Sequence, residues 1–386
     1  MQASLCIFIQ KGDRRPKTRG IRTFFCTILL AALVTQTSCQ SPNTYFPKEN
    51  WRVSIPSQQG LNELKINYFI KELRQGKLQR PISALTIVKN GYLVVNETFG
   101  SYNGKQAHTL QSVTKSVTST LVGVAIQNGL IRSLDDKVLS YFPEYQQIDN
   151  LNADKESMNL RHALTMRTGQ AWTGEQHLGP LNRFPGDRMK YVLDYEMETQ
   201  PGKKWYYNSG IAMLLGGLLQ NATKMNTKDF AQEYLFEPLG ITGAKWNGDH
   251  HGIPHTGGGL YMKPTDMARI GYLYLRNGKW RGQQILPDWW VEQATNRHVS
   301  HTQNISGVSK ISYGYMWWLM PFDKTDRSNK KPEIYMAYGH WGQFIFVFPA
   351  HEMIVVFTNN NSATYSEEIK PISLLYENLL PAISTK

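Results

Sequence analysis

Thr109-Leu110-Gln111-Ser112-Val113-Thr114-Lys115-Ser116-Val117-Thr118-Ser119-Thr120-Leu121-Val122-Gly123-Val124-Ala125-Ile126-Gln127 is the stretch on which the fold turns. Val113, Val117, Leu121 and Val124 recur at helical spacing and Asn128-Gly129 closes the run, so a helix is predicted over 109–127. Ser112 and Lys115 stand three residues apart near its start and share one face. A serine hydroxyl becomes a nucleophile when a base takes its proton, and a lysine in a buried or cation-rich setting can be that base. The helix N-terminus adds N–H donors and a positive dipole end where an oxyanion would form. The spacing alone is weak. Ser328-Asn329-Lys330-Lys331 repeats it in a polar stretch with no hydrophobic flank, and context favours Ser112.

Outward from this helix, strands are expected at both ends of the chain. On the N-terminal side, 61–75 reads as a helix stopping at Gly76, followed by β-rich runs at 82–89 and 92–98 joined by Asn90-Gly91, a strong hairpin signal. On the C-terminal side, 257–262, 313–320, 333–338, 343–348 and 353–357 read as strands, and 367–380 as a final helix. Between about 130 and 245 the pattern is mainly helix and loop. One sheet built from both ends, with that helical lobe inserted, accounts for this better than two consecutive domains. The fold class is α+β. No repeat of 20–50 residues is visible.

Of the net charge of +12, six basic side chains against one acid lie in residues 1–38. There Lys11 to Arg22 precedes the apolar run 23–34, too short to span a bilayer as a helix. This reads as a secretory signal, residues 1–38, ahead of a polar tether, 39–60, and a domain, 61–386. Thr37-Ser38-Cys39 resembles the cleavage box of bacterial lipoproteins, with Cys39 as the lipidated residue; Gln36 stands where that box prefers Leu. Export to a bacterial periplasm, or anchoring there as a lipoprotein, is the expectation. The remaining charge forms no basic stripe interleaved with aromatics, so no nucleic-acid partner is expected. The cysteines are Cys6, Cys26 and Cys39 alone, which excludes a disulfide scaffold, a zinc ribbon and a cysteine hydrolase beyond position 39.

Two further segments follow the helix in order: Pro201-Gly202-Lys203-Lys204-Trp205-Tyr206-Tyr207-Asn208-Ser209-Gly210 and Tyr338-Gly339-His340-Trp341-Gly342-Gln343. With Ser112-x-x-Lys115 they resemble the penicillin-recognising serine hydrolases: class C β-lactamases, D-Ala-D-Ala carboxypeptidases, related esterases and 6-aminohexanoate-dimer hydrolases. Asn159 to Gly169, Glu237-Pro238-Leu239-Gly240 and Gly257 to Asp266 are similar to other blocks of that family, and the likeness spans roughly 60–380. The resemblance implies a β-lactamase/transpeptidase-like antiparallel sheet flanked by helices. It also implies Ser112 as the acylated nucleophile, Lys115 as base and Tyr207, five residues after Gly202, as proton shuttle, with Tyr206 competing for that role. The backbone N–H groups of Ser112 and Gln343 would form the oxyanion hole. His340, Trp341 and Gly342 would line the substrate site, with Ser209 and Trp172 beside them.

Two departures from the family bear on substrate. Ser209 replaces the amide of Tyr-x-Asn, and Asn208 stands one position early. Trp341 replaces the threonine that helps bind a substrate carboxylate, offering bulk and an indole N–H. Both weaken the case for β-lactams and D-Ala-D-Ala peptides and suit a small ester or amide. A β-lactamase, a carboxypeptidase, or a catalytically silent lipoprotein that binds an envelope ligand on this scaffold are the alternatives. No Gly-x-Ser-x-Gly elbow, phosphate-binding loop or dinucleotide fingerprint is present, so no cofactor is expected. Asp249, His250, His251 and His255 lie in a Gly/Pro-rich loop without a helical ligand pair, and no metal is expected there.

Overall fold

The computed structural model describes residues 44–77, 82–172, 174–249, 252–300, 305–308, 310–326, 328, 330–360 and 364–383. The signal and Cys39, as well as His250 and His251, lie outside them. Asn90 (φ 52°) and Gly91 (φ 78°) both turn left-handed, which is what a two-residue turn between right-twisted strands requires. They join β1 (Ile82–Lys89) to β2 (Tyr92–Thr98), with Lys89 opposite Tyr92. The C-terminal half supplies β8 (Ser312–Tyr313), β9 (Trp318–Met320), β10 (Ile334–Gly339), β11 (Gln343–Phe348) and β12 (Met353–Asn359). These seven strands form one antiparallel sheet in the order β2-β1-β12-β11-β10-β9-β8. The first and last parts of the chain thus meet at β1 and β12. Short strands β3 (His108–Thr109), β4 (Lys245–Trp246) and β5 (Leu260–Met262) make a second sheet, and β6 (Lys279–Trp280) with β7 (Gln283–Gln284) a small hairpin.

Helices explain why the central strands are buried along their length rather than alternately. Helix α1 (Glu63–Arg74) packs with the C-terminal segment. Helix α2 (Val113–Gln127) lies against β10 and β11. Helix α3 (Ser209–Thr223), in the inserted lobe, lies against α2, and α4 (Pro264–Leu275) lies against β1, β11 and β12. Every residue of α2 from Val113 to Ala125 is buried, so the sequence stripe is only one of its apolar contacts. Three of its hydroxyls are spent internally: Ser116 Oγ donates to Met316 O, Thr118 Oγ1 to Thr256 O, and Thr120 Oγ1 meets the Tyr274 hydroxyl.

Four expectations change. The helix predicted from 109 starts at Val113, because Thr109 pairs with Tyr261 in β3 and Gln111 turns left-handed. The 313–320 run is a hairpin, turned at 314–317, where Gly314 N donates to Trp317 O. The final helix is broken into Tyr365–Glu368 (α5), Lys370–Leu374, a π turn at Leu375–Leu379 and a 3-10 turn at Leu380–Ala382. Pro371 and Pro381, which lack the N–H an uninterrupted helix needs, stand at the starts of the second and last pieces.

The described part of the expected tether, from Tyr45 to Gly60, is strapped down. Buried Arg269 donates to Lys48 O and Glu49 O, Tyr272 to Tyr45 O, Arg281 to Pro47 O, and Trp51 Nε1 to Thr265 O. Polar composition hid this because it is the strap's backbone carbonyls that are recognised.

Candidate active site

Ser112 caps α2 at the turn that leaves β3. Leu110 N donates to Leu260 O, Gln111 takes φ 46°, and Ser112 then enters helical geometry at φ −69°. A left-handed non-glycine residue directly before a candidate nucleophile is the kind of backbone strain that collects at functional sites. One turn on, Lys115 is 1% exposed. Its Nζ is 2.7 Å from Ser112 Oγ and 2.6 Å from Gly257 O, and sits 4.9 Å from the centre of the Tyr207 ring. A buried lysine nitrogen needs polar partners in place of water, and the serine oxygen and the carbonyl supply them, while burial favours the neutral amine that can act as a base. The Ser–Lys contact is within proton-transfer range in either direction.

The segment 201–208 decides between its two tyrosines. Tyr206 N donates to Met166 O, and its hydroxyl is directed at the surface pair Glu198–Lys204. Tyr207 faces the other way, toward Lys115. Its ring lies in an aromatic group with Trp205, Tyr313 and Trp318 at centroid distances of 6.3, 6.5 and 5.7 Å. Burial, with Tyr207 nearby, holds the Tyr313 hydroxyl well above its ordinary ionisation range. Burial and Glu368 do the same for Tyr338. Tyr207 is thus flanked by phenols held neutral. Asn208, the misplaced amide, caps α3 by accepting from Ile211 N and reaches Gln170. Ser209 is buried at the start of α3, its carbonyl next to Gly257, the acceptor of Lys115.

Opposite Ser112 lies the turn between β10 and β11. Gly339 is packed so closely that a Cβ there would stand 2.3 Å from Leu110 O and 3.0 Å from Ser112 N, which leaves room only for glycine. His340 is exposed, Trp341 takes φ 64° and its ring lies 4.9 Å from that of His340; Gly342 follows at φ 85°. Beneath the turn, the buried Glu368 carboxylate accepts from the Tyr338 hydroxyl and Trp341 N (2.9 Å), and one of its oxygens stands 2.7 Å from His340 Nδ1.

Two sequence assignments are corrected here. Gln343 is buried across the hairpin from Gly339, its side-chain amide tied to Asn359, while Gly339 is the residue packed against the Ser112 amide. Trp172 is not a cleft wall. It is fully buried between His177, Tyr195 and Gly210, because the glycine at 210 lets the indole lie against the first turn of α3.

Sequence reading missed two residues. Glu368 follows His340 by 28 positions with no motif linking them, and the expected helix over 367–380, with the Thr364–Glu367 capping pattern ahead of it, gave no sign of which turn it would face. His255, weighed only as a metal ligand, turns inward. Its Nε2 is 3.1 Å from Asn182 Oδ1 and its ring borders Gly257, and burial, then the Lys115 charge, pulls its pKa down to about 4. Asp249 instead closes a turn by accepting from Ile253 N. Surface recesses of about 410 Å³ around Tyr191 and about 760 Å³ beneath the strap are lined by none of Ser112, Lys115 and Tyr207.

Comparison with known proteins agrees on the fold. Residues 68–373 match the beta-lactamase family model. The chain is similar to a 6-aminohexanoate-dimer hydrolase of Paenarthrobacter ureafaciens, at 22% identity over 72% of this chain and 73% of that protein. It is also similar to a lovastatin esterase of Penicillium rubens, at 27% identity over 36% of this chain and 39% of the esterase. Among solved structures, the octameric penicillin-binding protein homologue from Pyrococcus abyssi superposes with a TM-score of 0.62 at 20% identity, over 81% of this chain and 76% of that one.

Proposed function

The chain belongs to the beta-lactamase family and is a serine hydrolase, and on that premise we propose that it cleaves a small ester or amide through an acyl-enzyme on Ser112. The observation that carries this reading is the contact of Lys115 Nζ with Ser112 Oγ at 2.7 Å, with the Tyr207 ring beside it. Lys115 takes the Ser112 proton as Oγ attacks the carbonyl carbon. The oxyanion so formed is met by the Ser112 N–H and, in place of Gln343, by the N–H of His340, the residue after the closely packed Gly339. Tyr207 gives its hydroxyl proton to the leaving alcohol or amine as the C–O or C–N bond breaks, which leaves a phenolate beside protonated Lys115. In the second half-reaction the Tyr207 phenolate takes a proton from water, whose oxygen attacks the acyl carbon, and Lys115 gives its proton back to Ser112 Oγ as the acyl–Oγ bond breaks and the acid leaves.

The substrate preference rests on what stands at two positions. Asn208 is consumed in capping α3, and Trp341 occupies the turn beside His340, which is already paired to Glu368. Neither offers a free cation or amide for a carboxylate beside the scissile bond, so substrates without one are favoured. Esters and linear amides are expected to turn over faster than cephalosporins or D-Ala-D-Ala peptides. A steady-state panel of p-nitrophenyl butyrate, a linear amide, nitrocefin and a D-Ala-D-Ala peptide tests this; nitrocefin as the fastest substrate would overturn the preference.

Export is the second part of the proposal and rests on the sequence of residues 1–39 alone. The basic stretch, the short apolar run and Cys39 support secretion with lipid attachment, and so a membrane contact through that anchor only. Metabolic labelling with a palmitate analogue, lost in Cys39→Ser, is the expected result; an unlabelled wild-type protein would remove the anchor.

A further inference from the structure

We propose that Glu368 is a positioning residue for hydrolysis, holding the turn from Gly339 to Gly342 in the shape that presents its backbone to the acyl oxygen. The proposal rests on the reading of Ser112 as nucleophile. The Glu368 side chain is 5% exposed, and a carboxylate is buried so deeply only when donors replace its water. Here the donors come from residues 338 and 341. The Tyr338 hydroxyl donates to Oε1 and Trp341 N, at 2.9 Å, to Oε2, which also stands 2.7 Å from His340 Nδ1. The backbone of Glu368 closes on the same turn, since a Cβ on Gly342 would stand 2.8 Å from its carbonyl oxygen.

That turn carries backbone strain. Trp341 is held at φ 64°, a conformation that a bulky side chain keeps only where its surroundings impose it, and the bond from its own N–H to Glu368 is one such constraint. The other side of the turn is Gly339, in contact with the Ser112 amide. A single carboxylate therefore connects, through backbone, to the place where negative charge would develop. The sheet has separate fastenings. Gly339 pairs with Gln343, Gln343 is bonded to Asn359, and α5 has its own capping box at Thr364 and Glu367. The hydrogen bonds of the Glu368 side chain go instead to Trp341 N within the turn and to Tyr338 at the end of β10, next to Gly339.

The test uses the full chain with Glu368→Ala, Glu368→Gln and Glu368→Asp, measuring kcat and KM for p-nitrophenyl butyrate and the rate of fluorophosphonate labelling at Ser112. Rates are scaled to the folded fraction read by circular dichroism. Loss of turn alignment should lower kcat of the alanine variant about 100-fold, the size seen when an oxyanion donor is removed, with little change in KM. Glutamine keeps an acceptor oxygen for Trp341 N and should recover most of that loss. Aspartate, one methylene shorter, cannot reach both Tyr338 and Trp341 and should lose at least about tenfold, on the same scale; it decides the matter if the alanine variant does not fold. Wild-type kcat in the folded aspartate or alanine variant would overturn the role of Glu368 alone. A wild-type enzyme that forms no adduct at Ser112 would overturn the nucleophile reading, and the Glu368 role with it.

Discussion

Lys115 gives up almost all contact with water to place its Nζ between a serine oxygen and a carbonyl, and the two tyrosines of the 206–207 pair part company in its neighbourhood. Lys115→Ala should cut the rate of Ser112 acylation by about 10²–10⁴, the usual yield of a positioned base, and stopped-flow labelling at neutral pH measures it. Tyr207→Phe keeps the ring among Trp205, Tyr313 and Trp318 and removes only the hydroxyl. Its kcat should fall by about two orders of magnitude or more, whereas Tyr206→Phe, whose hydroxyl serves a surface ion pair, should stay near wild type. Equal losses in both variants would remove Tyr207 from the proposed mechanism. The Ser112–Lys115 contact was legible in sequence because the motif fixes spacing and the helix fixes which residues share a face. The positions of Gln343 and Trp172 were not. Both depend on which backbone packs against which, and a glycine at 339 or 210 carries no sign of what will lie on it.

At the scale of elements, the first hairpin and the buried helix were readable from turn chemistry and periodicity, as Asn90-Gly91 and the 113–124 stripe show. The starts and breaks were not. Thr109 looked helical by pattern and is taken by a strand partner, Tyr261, which is 152 positions away. The union of β10 with α2 is an exacting contact of this kind. Gly339→Ala would drive a methyl to 2.3 Å from Leu110 O and 3.0 Å from Ser112 N, so backbone must move on one side. A loss of about 1–3 kcal/mol of stability is expected from overpacking, together with a fall in kcat larger than the fraction unfolded explains. Chemical denaturation alongside active-site titration separates the two effects. An alanine variant with full activity would mean that the turn does not meet Ser112 as closely as described.

Over the whole molecule, two buried titratable groups pull pH stability in opposite directions. His255 is held neutral in the fold, with a pKa of about 4 against an ordinary value near 6.5. The unfolded chain binds that proton first, so this group destabilises the fold progressively as pH falls from about 6.5 to about 4, and no further below. Asp266 is pushed up to about 6 by burial, against the opposing pull of Arg269 and Lys263. Between about 4 and 6 the folded chain keeps a proton that the unfolded chain has lost, so this group costs stability as pH rises through that window. His255→Gln should flatten the acid-side loss and Asp266→Asn the opposite slope; melting temperatures from pH 4 to 7 check both, and unchanged slopes would contradict the burial argument. The strap over Arg269 adds a long-range constraint. Arg269→Leu strips the donors from Lys48, Glu49 and Leu239 carbonyls and leaves Asp266 without its partner, and should cost several kcal/mol, about 3–5 for a broken buried pair.

The central claim is that Ser112 is the acylated nucleophile. The most direct measurement is intact-mass and peptide mapping of the protein after reaction with a fluorophosphonate. The account predicts one stoichiometric adduct, located on Ser112, absent in Ser112→Ala and slowed in Lys115→Ala. A folded wild-type protein that takes up no adduct, or takes it at another residue, would contradict it.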